Sequence, residues 1–220
     1  MLRYVQVELQ PAQLQQGDFS MSSASGNMRF ARLAGVLLIA STLTALVYRF
    51  FIVTAILGDV NSSAVLSGYQ RGMLNLGVVF AAIIVSAGLG VLLAFLRGKP
   101  AYRLALTGMA CSALAALLIT ISFFLNVFSS SQDVALFPGY FLLTGVSFIL
   151  FDVTLIRNGW LKWTSVTSIA LSVLFVIILL LGIRLLFFFY LAMLPVSIGL
   201  LVLGRRRTVA SGVRREVPVA

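Results

Sequence analysis

Six long apolar stretches, separated by short polar breaks, run along the chain. They are Leu33–Leu57, Met73–Leu96, Tyr102–Phe128, Leu136–Ile156, Thr164–Leu181 and Leu185–Leu203. A hydrocarbon core about 30 Å thick is crossed by roughly 20 apolar residues rising about 1.5 Å each. Each stretch meets or approaches that length, and no period-two strand pattern is present. The last two are parted only by Gly182, Ile183 and Arg184. One helix through both would be about 60 Å long, twice the core thickness. A glycine followed by an arginine is also a turn signal. The pattern predicts a helical hairpin there, and an all-α polytopic membrane protein of six transmembrane helices.

The polar breaks supply the orientation. Arg3, Arg29 and Arg32 precede the first stretch. Arg97, Lys99 and Arg103 follow the second, and Arg157 and Lys162 follow the fourth. Arg205, Arg206, Arg207, Arg214 and Arg215 follow the sixth. The alternate breaks hold only Arg71 and Arg184. Cytoplasmic loops collect Lys and Arg, so both termini are expected in the cytoplasm. A five-span chain would place the arginine-rich tail outside.

Two tails flank the predicted membrane domain, residues 29–204. Residues 1–28 include "VELQPAQLQQGDFSMSSASGN", polar and rich in Gln and Ser. Such a segment buries too little apolar area to offset its ordering entropy, so a disordered tail is expected. It does not read as a signal peptide, because the apolar stretch comes late and is too long. Met21 and Met28 are alternative starts to Met1. Residues 205–220 are expected to form a basic tail on the anionic leaflet, at about 1 kcal/mol per basic residue near the surface.

Composition agrees. The chain is 60% hydrophobic and 10% charged, where soluble domains carry about 25% charged residues. The net charge of +10 would point to nucleic acid in a soluble protein. Here the charges sit between apolar spans, so topology accounts for them and no nucleic-acid partner is expected. There is no histidine and one cysteine, Cys111. A serine–histidine hydrolase, an HExxH metalloprotease and a di-aspartyl site all lack their residues. No metal or cofactor is expected. Cys111, set among Ala and Ser, reads as a packing residue.

Small residues recur every fourth position in two spans: Ala82, Ser86, Gly90 and Ala94 in the second, Gly108, Ser112, Ala116 and Thr120 in the third. Such faces let helix backbones approach closely in lipid. Helices two and three are expected to pack together, with helix one joining through Ala34, Gly35 and Ser41. "LLFFFY" at 185–190 is expected to face lipid or a partner. Pro195 is expected to kink the sixth helix. Trp160 and Trp163 read as interfacial anchors.

Ionisable residues inside spans are the default functional candidates. Arg49 lies in the outward half of the first span, about 6 Å beyond its midpoint. Its first reading is an anchor whose stem reaches the outer headgroups. The second is membership of an outer polar set with Asp59, Tyr69, Arg71, Asn75, Asn126, Asp133 and Arg184, whose arginines would suit an anionic ligand. Asp152 lies near the inward end of the fourth span. It reads either as an interfacial carboxylate at a helix end, near Arg97 or Arg103, or as a proton- or cation-coupling group. Asn61–Ser63 is a glycosylation sequon on the predicted outer side.

"FARLAGVLL", a span ending near Arg49, then Gly58–Asp59 and a polar stretch before a second span together resemble a widespread family of prokaryotic membrane proteins. That family is known by a domain-of-unknown-function label. The resemblance covers about residues 30 to 95 and implies six helices in a cytoplasmic membrane, with no established activity. The leading expectation is a non-enzymatic protein acting by lipid or partner interaction, as an accessory subunit or small oligomer. The alternative is a solute-binding or transport component with an outward-facing polar site. An intramembrane enzyme ranks third.

Overall fold

The computed structural model describes the backbone of residues 12–53, 68–128, 136–181 and 186–213. Side chains are described within Met28–Phe51, Leu76–Phe128, Leu136–Leu181 and Phe189–Leu203, apart from Arg49, Asn126 and Phe137. The described elements are all helices joined by short turns, with no strand among the described residues. Helix α1 is Ala12–Val47, continued by a π-helical stretch, Tyr48–Val53. Then come α2, Gly68–Leu96, α3, Tyr102–Phe128, α4, Leu136–Arg157, and α5, Lys162–Leu180. A 3₁₀ segment, Leu186–Met193, leads into α6, Leu194–Val213. Five of the helices are long and apolar enough to cross a membrane, and Phe189–Leu203 forms a shorter apolar helix. The protein is therefore a helical membrane protein.

Several boundaries differ from the sequence expectation. Helix α1 begins at Ala12, inside the segment expected to be a disordered tail. Once the apolar span nucleates a helix, each added residue gains one hydrogen bond, so propagation into a polar flank is easy. Residues 1–11 lie outside the described residues. The first span does not run as α-helix to Leu57 but changes to π geometry at Tyr48. There the Tyr48 ring occupies the space that a side chain on Gly77 would need. Pro195 does not kink the sixth helix from within. It sits in the first turn of α6, where its missing N–H has no helical partner to lose. The bulky "LLFFFY" does not face outward at its described end, since Phe189 and Tyr190 are buried in the core. The turn at Gly182–Arg184 and the sequon at Asn61–Ser63 lie outside the described residues.

The helices form a ring in chain order. Helix α1 packs on α2 and α6, and α2 on α3, α3 on α4, α4 on α5, and α5 on α6. Neighbours alternate in direction. Gly88 of α2 meets Leu38 of α1, while Gly77 meets Tyr48. Gly35 of α1 faces Ser197 and Leu200 of α6, and Thr42 donates to the Tyr190 carbonyl. Gly108 of α3 faces Ser147 and Phe151 of α4, while Gly139 faces Leu118. Gly145 of α4 faces Val176 of α5, and Gly199 of α6 faces Leu161 and Thr164.

Two short turns, Arg97–Ala101 and Asn158–Leu161, lie at one end. The first uses the left-handed conformation at Gly98 and Ala101, the second at Gly159 and Leu161. The second closes α4 with a Schellman pattern: Gly159 N donates to Ile156 O, and Trp160 N to Leu155 O. Asn158 Nδ2 donates to Pro100 O at 2.8 Å, fastening the turns together. The Trp160 ring lies tilted against Phe95, centroids 4.8 Å apart, and Lys99 Nζ lies 5.6 Å from its centroid. Arg29, Arg32, Arg97, Lys99, Arg103, Arg157 and Lys162 are all exposed there.

Candidate functional site

Helix α5 shows what sets the interior apart. Its buried residues are Ser165, Ser168 and Ser172. Their spacing, three then four, puts them on one helical face. The opposite face exposes Val166, Val173, Leu174, Ile177 and Leu180. A soluble helix would hide its apolar side. In lipid the apolar side faces outward and small polar residues pack inward.

Opposite that stripe stands Asp152 of α4, with no exposed surface. Its carboxyl faces Ser168, yet neither oxygen has a hydrogen-bond partner. The hydroxyls of Ser147, Ser165 and Ser172 are also buried and unpartnered, while Ser168 Oγ donates to Met193 Sδ at 3.7 Å. Serine and threonine in membrane helices usually bond back to the carbonyl a turn earlier. Thr144, Thr154, Thr167 and Ser197 do so here, at 2.6–2.9 Å. Ser147, Ser165 and Ser172 depart from that habit.

Asp152 is fully buried within the bundle and is not paired with Arg97 or Arg103, against one sequence expectation. Both arginines are exposed at the short-turn end. Asp152 stands five residues inside Arg157, about 7.5 Å along the axis, and is turned toward α5. On its short-turn side lie Leu155, fully buried, and the contact of Gly199 with Leu161 and Thr164. On the far side is an aromatic layer. Phe148 stacks on Phe189 at 5.8 Å, and Phe141 meets Phe189 edge-on at 5.3 Å. Beyond it Tyr140 and Tyr190 join their hydroxyls, and the Tyr190 hydroxyl also donates to Val78 O.

The outer polar set is not brought together by any described contact. The Arg49 backbone lies in the π stretch, Tyr69, Arg71 and Asn75 on the first turns of α2, and Asn126 on the last turn of α3. Their side chains, with Asp59, Asp133 and Arg184, lie outside the described residues. Cys111 is a half-buried free thiol. Among the described residues no three His, Cys, Asp or Glu side chains cluster as metal ligands would.

The small-residue faces are engaged within the ring. Ser86 and Ser112 share a hydrogen bond of 2.9 Å between α2 and α3, with Ala82 buried beside it. Gly90 faces Met109, whereas Gly108 turns toward α4. Ala116 is half-buried and Ala94 exposed. The serine stripe was missed at the sequence level, although its spacing is visible in "TSVTSIALSV". The Tyr140–Tyr190 pair joins distant segments, and no local pattern announces it.

No family model matches the chain, and neither does any curated protein or solved structure.

Proposed function

We propose that the chain is a six-span integral protein of the cytoplasmic membrane, with both termini in the cytoplasm, and that it is a solute-binding component of transport rather than an enzyme. The binding group is Asp152. One observation carries this reading: a fully buried acid with both oxygens unpartnered stands before a row of serines inside a membrane domain. Polar groups in such a place are expensive and mark ion or solute paths. The collection of exposed basic residues at the short-turn end supports the orientation. The bilayer itself is the first partner, with anionic lipid at the arginines that follow Leu203.

The interaction reading, which drew on the small-residue faces, loses support because Ser86, Ser112 and Gly108 are spent on contacts within the ring. The transport reading moves inward, from the outer polar set to Asp152.

Binding to the folded state raises its melting temperature. The full-length protein in mild detergent is to be melted against a panel of ions and small polar solutes. At least one should stabilise the wild type and leave Asp152→Asn unmoved. A panel in which the two proteins respond alike throughout overturns the proposal. For topology, single cysteines are placed at Lys99 and Ser130 in a Cys111→Ser background. An impermeant maleimide should label S130C in intact cells, and K99C only after permeabilisation. The reverse pattern rejects the orientation.

A further inference from the structure

We infer that Asp152, together with Ser168 and its neighbouring serines, is an exchange site for one monovalent cation, held either as a proton or as a sodium ion competing with it. This rests on the reading of Asp152 as a binding group and names what it binds.

The donor set argues for it. The oxygens available are two carboxylate oxygens without partners, the Ser168 hydroxyl facing them, and the unpartnered hydroxyls of Ser165 and Ser172, one turn to either side of Ser168, while the one sulfur there, Met193 Sδ, accepts from Ser168. Hard oxygen donors suit protons and alkali ions, while transition metals prefer imidazole and thiolate. Charge argues for it too. An isolated carboxylate in an apolar interior is strongly disfavoured unless a cation accompanies it. No protein cation does so among the described residues. Of the elements packed against α4, helix α3 brings Tyr102, Arg103 and Cys111, and α5 brings Lys162. Arg103 and Lys162 are exposed at the short-turn end. Tyr190, from the segment before α6, bonds instead to Tyr140 and Val78. One monovalent cation leaves the site neutral, while a divalent ion would leave it positive.

Access has a side. The aromatic layer of Phe141, Phe148 and Phe189 closes the interior beyond Asp152. Towards the short turns lie Leu155, Val196 and Leu200, all fully buried, and the contact of Gly199 with Leu161 and Thr164. The shorter way out is the short-turn side, since Asp152 is five residues from the α4 end at Arg157 and sixteen from its start at Leu136.

The test uses dicyclohexylcarbodiimide on the full-length protein in mild detergent, with the modified peptide identified by mass spectrometry. A protonated carboxyl adds across the carbodiimide: its oxygen bonds to the central carbon, its proton passes to one nitrogen, and acyl migration to nitrogen gives a stable acylurea. A carboxylate holding sodium cannot supply that proton. Asp152 should be labelled, severalfold more slowly in sodium chloride than in choline chloride of equal strength. The protection should fade as pH falls. Ser168→Ala should label at the wild-type rate in choline and lose the sodium protection. The proposal is overturned by an unlabelled Asp152 at every pH, by equal rates in sodium and choline, or by undiminished protection in Ser168→Ala. If a solute other than sodium separates wild type from Asp152→Asn in the melting panel while sodium gives no protection, this inference fails and the binding role of Asp152 stands.

Discussion

Asn158 reaches across from the α4–α5 turn and donates through Nδ2 to the carbonyl of Pro100 in the α2–α3 turn, at 2.8 Å. The same nitrogen bonds Thr154 O within its own helix. One side chain thus ties two helical hairpins together at the end where the exposed basic residues gather. A prolyl carbonyl in a turn has no ladder to join, so this bond satisfies an otherwise free acceptor. Replacing Asn158 with Ala should lower stability in detergent by about 1 kcal/mol, read as a shift in the unfolding midpoint. An unchanged midpoint would mean that the turns are held by Trp160 and Phe95 alone.

Glycines separate into two kinds. A side chain on Gly35 would stand 2.8 Å from the Ser197 carbonyl, which is backbone and cannot move aside. Gly35→Ala should therefore push α1 from α6 and destabilise by about 1–3 kcal/mol. Gly90 meets nothing nearer than Met109 Cε at 3.8 Å. Gly90→Ala should be neutral or stabilising by up to about 1 kcal/mol, the gain in helix propensity. Reversible unfolding in mixed micelles measures both, and equal losses at the two sites would refute the assignment.

The Ser86–Ser112 bond links α2 to α3 in a region where lipid offers no hydrophobic drive for association. A double-mutant cycle with Ser86→Ala and Ser112→Ala should return a coupling of about 0.6 kcal/mol. Strict additivity would show that the hydroxyls find other acceptors, such as the carbonyl a turn earlier.

Asp152 should oppose stability in sodium-free buffer. A buried carboxyl without partners gains nothing from its environment, and an apolar replacement of similar shape removes an uncompensated polar group. Asp152→Leu should leave stability unchanged or raise it by about 1–3 kcal/mol. A large loss would show that the carboxyl has partners in the folded protein.

Tyr140 and Tyr190 bond through their hydroxyls, and Tyr190 also reaches Val78 O at 3.4 Å. Tyr140→Phe leaves Tyr190 with only that long bond, so a loss of about 1–2 kcal/mol is expected. Tyr190→Phe should cost a similar amount. If the two hydroxyls act as one unit, the double variant should lose much less than both losses added together. Full additivity would separate them.

Hydropathy alone determined the helical class and placed α3, α4 and α5 within a few residues, because a lipid solvent demands long apolar helices whose backbone groups are satisfied internally. The clustering of arginine and lysine in alternate breaks pointed to the end where the short turns meet. Other features depended on packing. Tyr48 against Gly77 accompanies the π stretch where an unbroken helix was expected. Phe189 and Tyr190 turned inward although their composition suited lipid, since a ring of helices needs bulk to fill its centre. Asp152 read either as an interfacial carboxylate or as a coupling group, because its position in the chain gives depth but not direction. The rotation of α4 toward α5, and the matching rotation that brings Ser165, Ser168 and Ser172 inward, are set by contacts between helices. A sequence states which residues share a helical face. Only tertiary packing decides which face looks into the bundle, and that choice set the isolated acid against Ser168 on a buried row of serines.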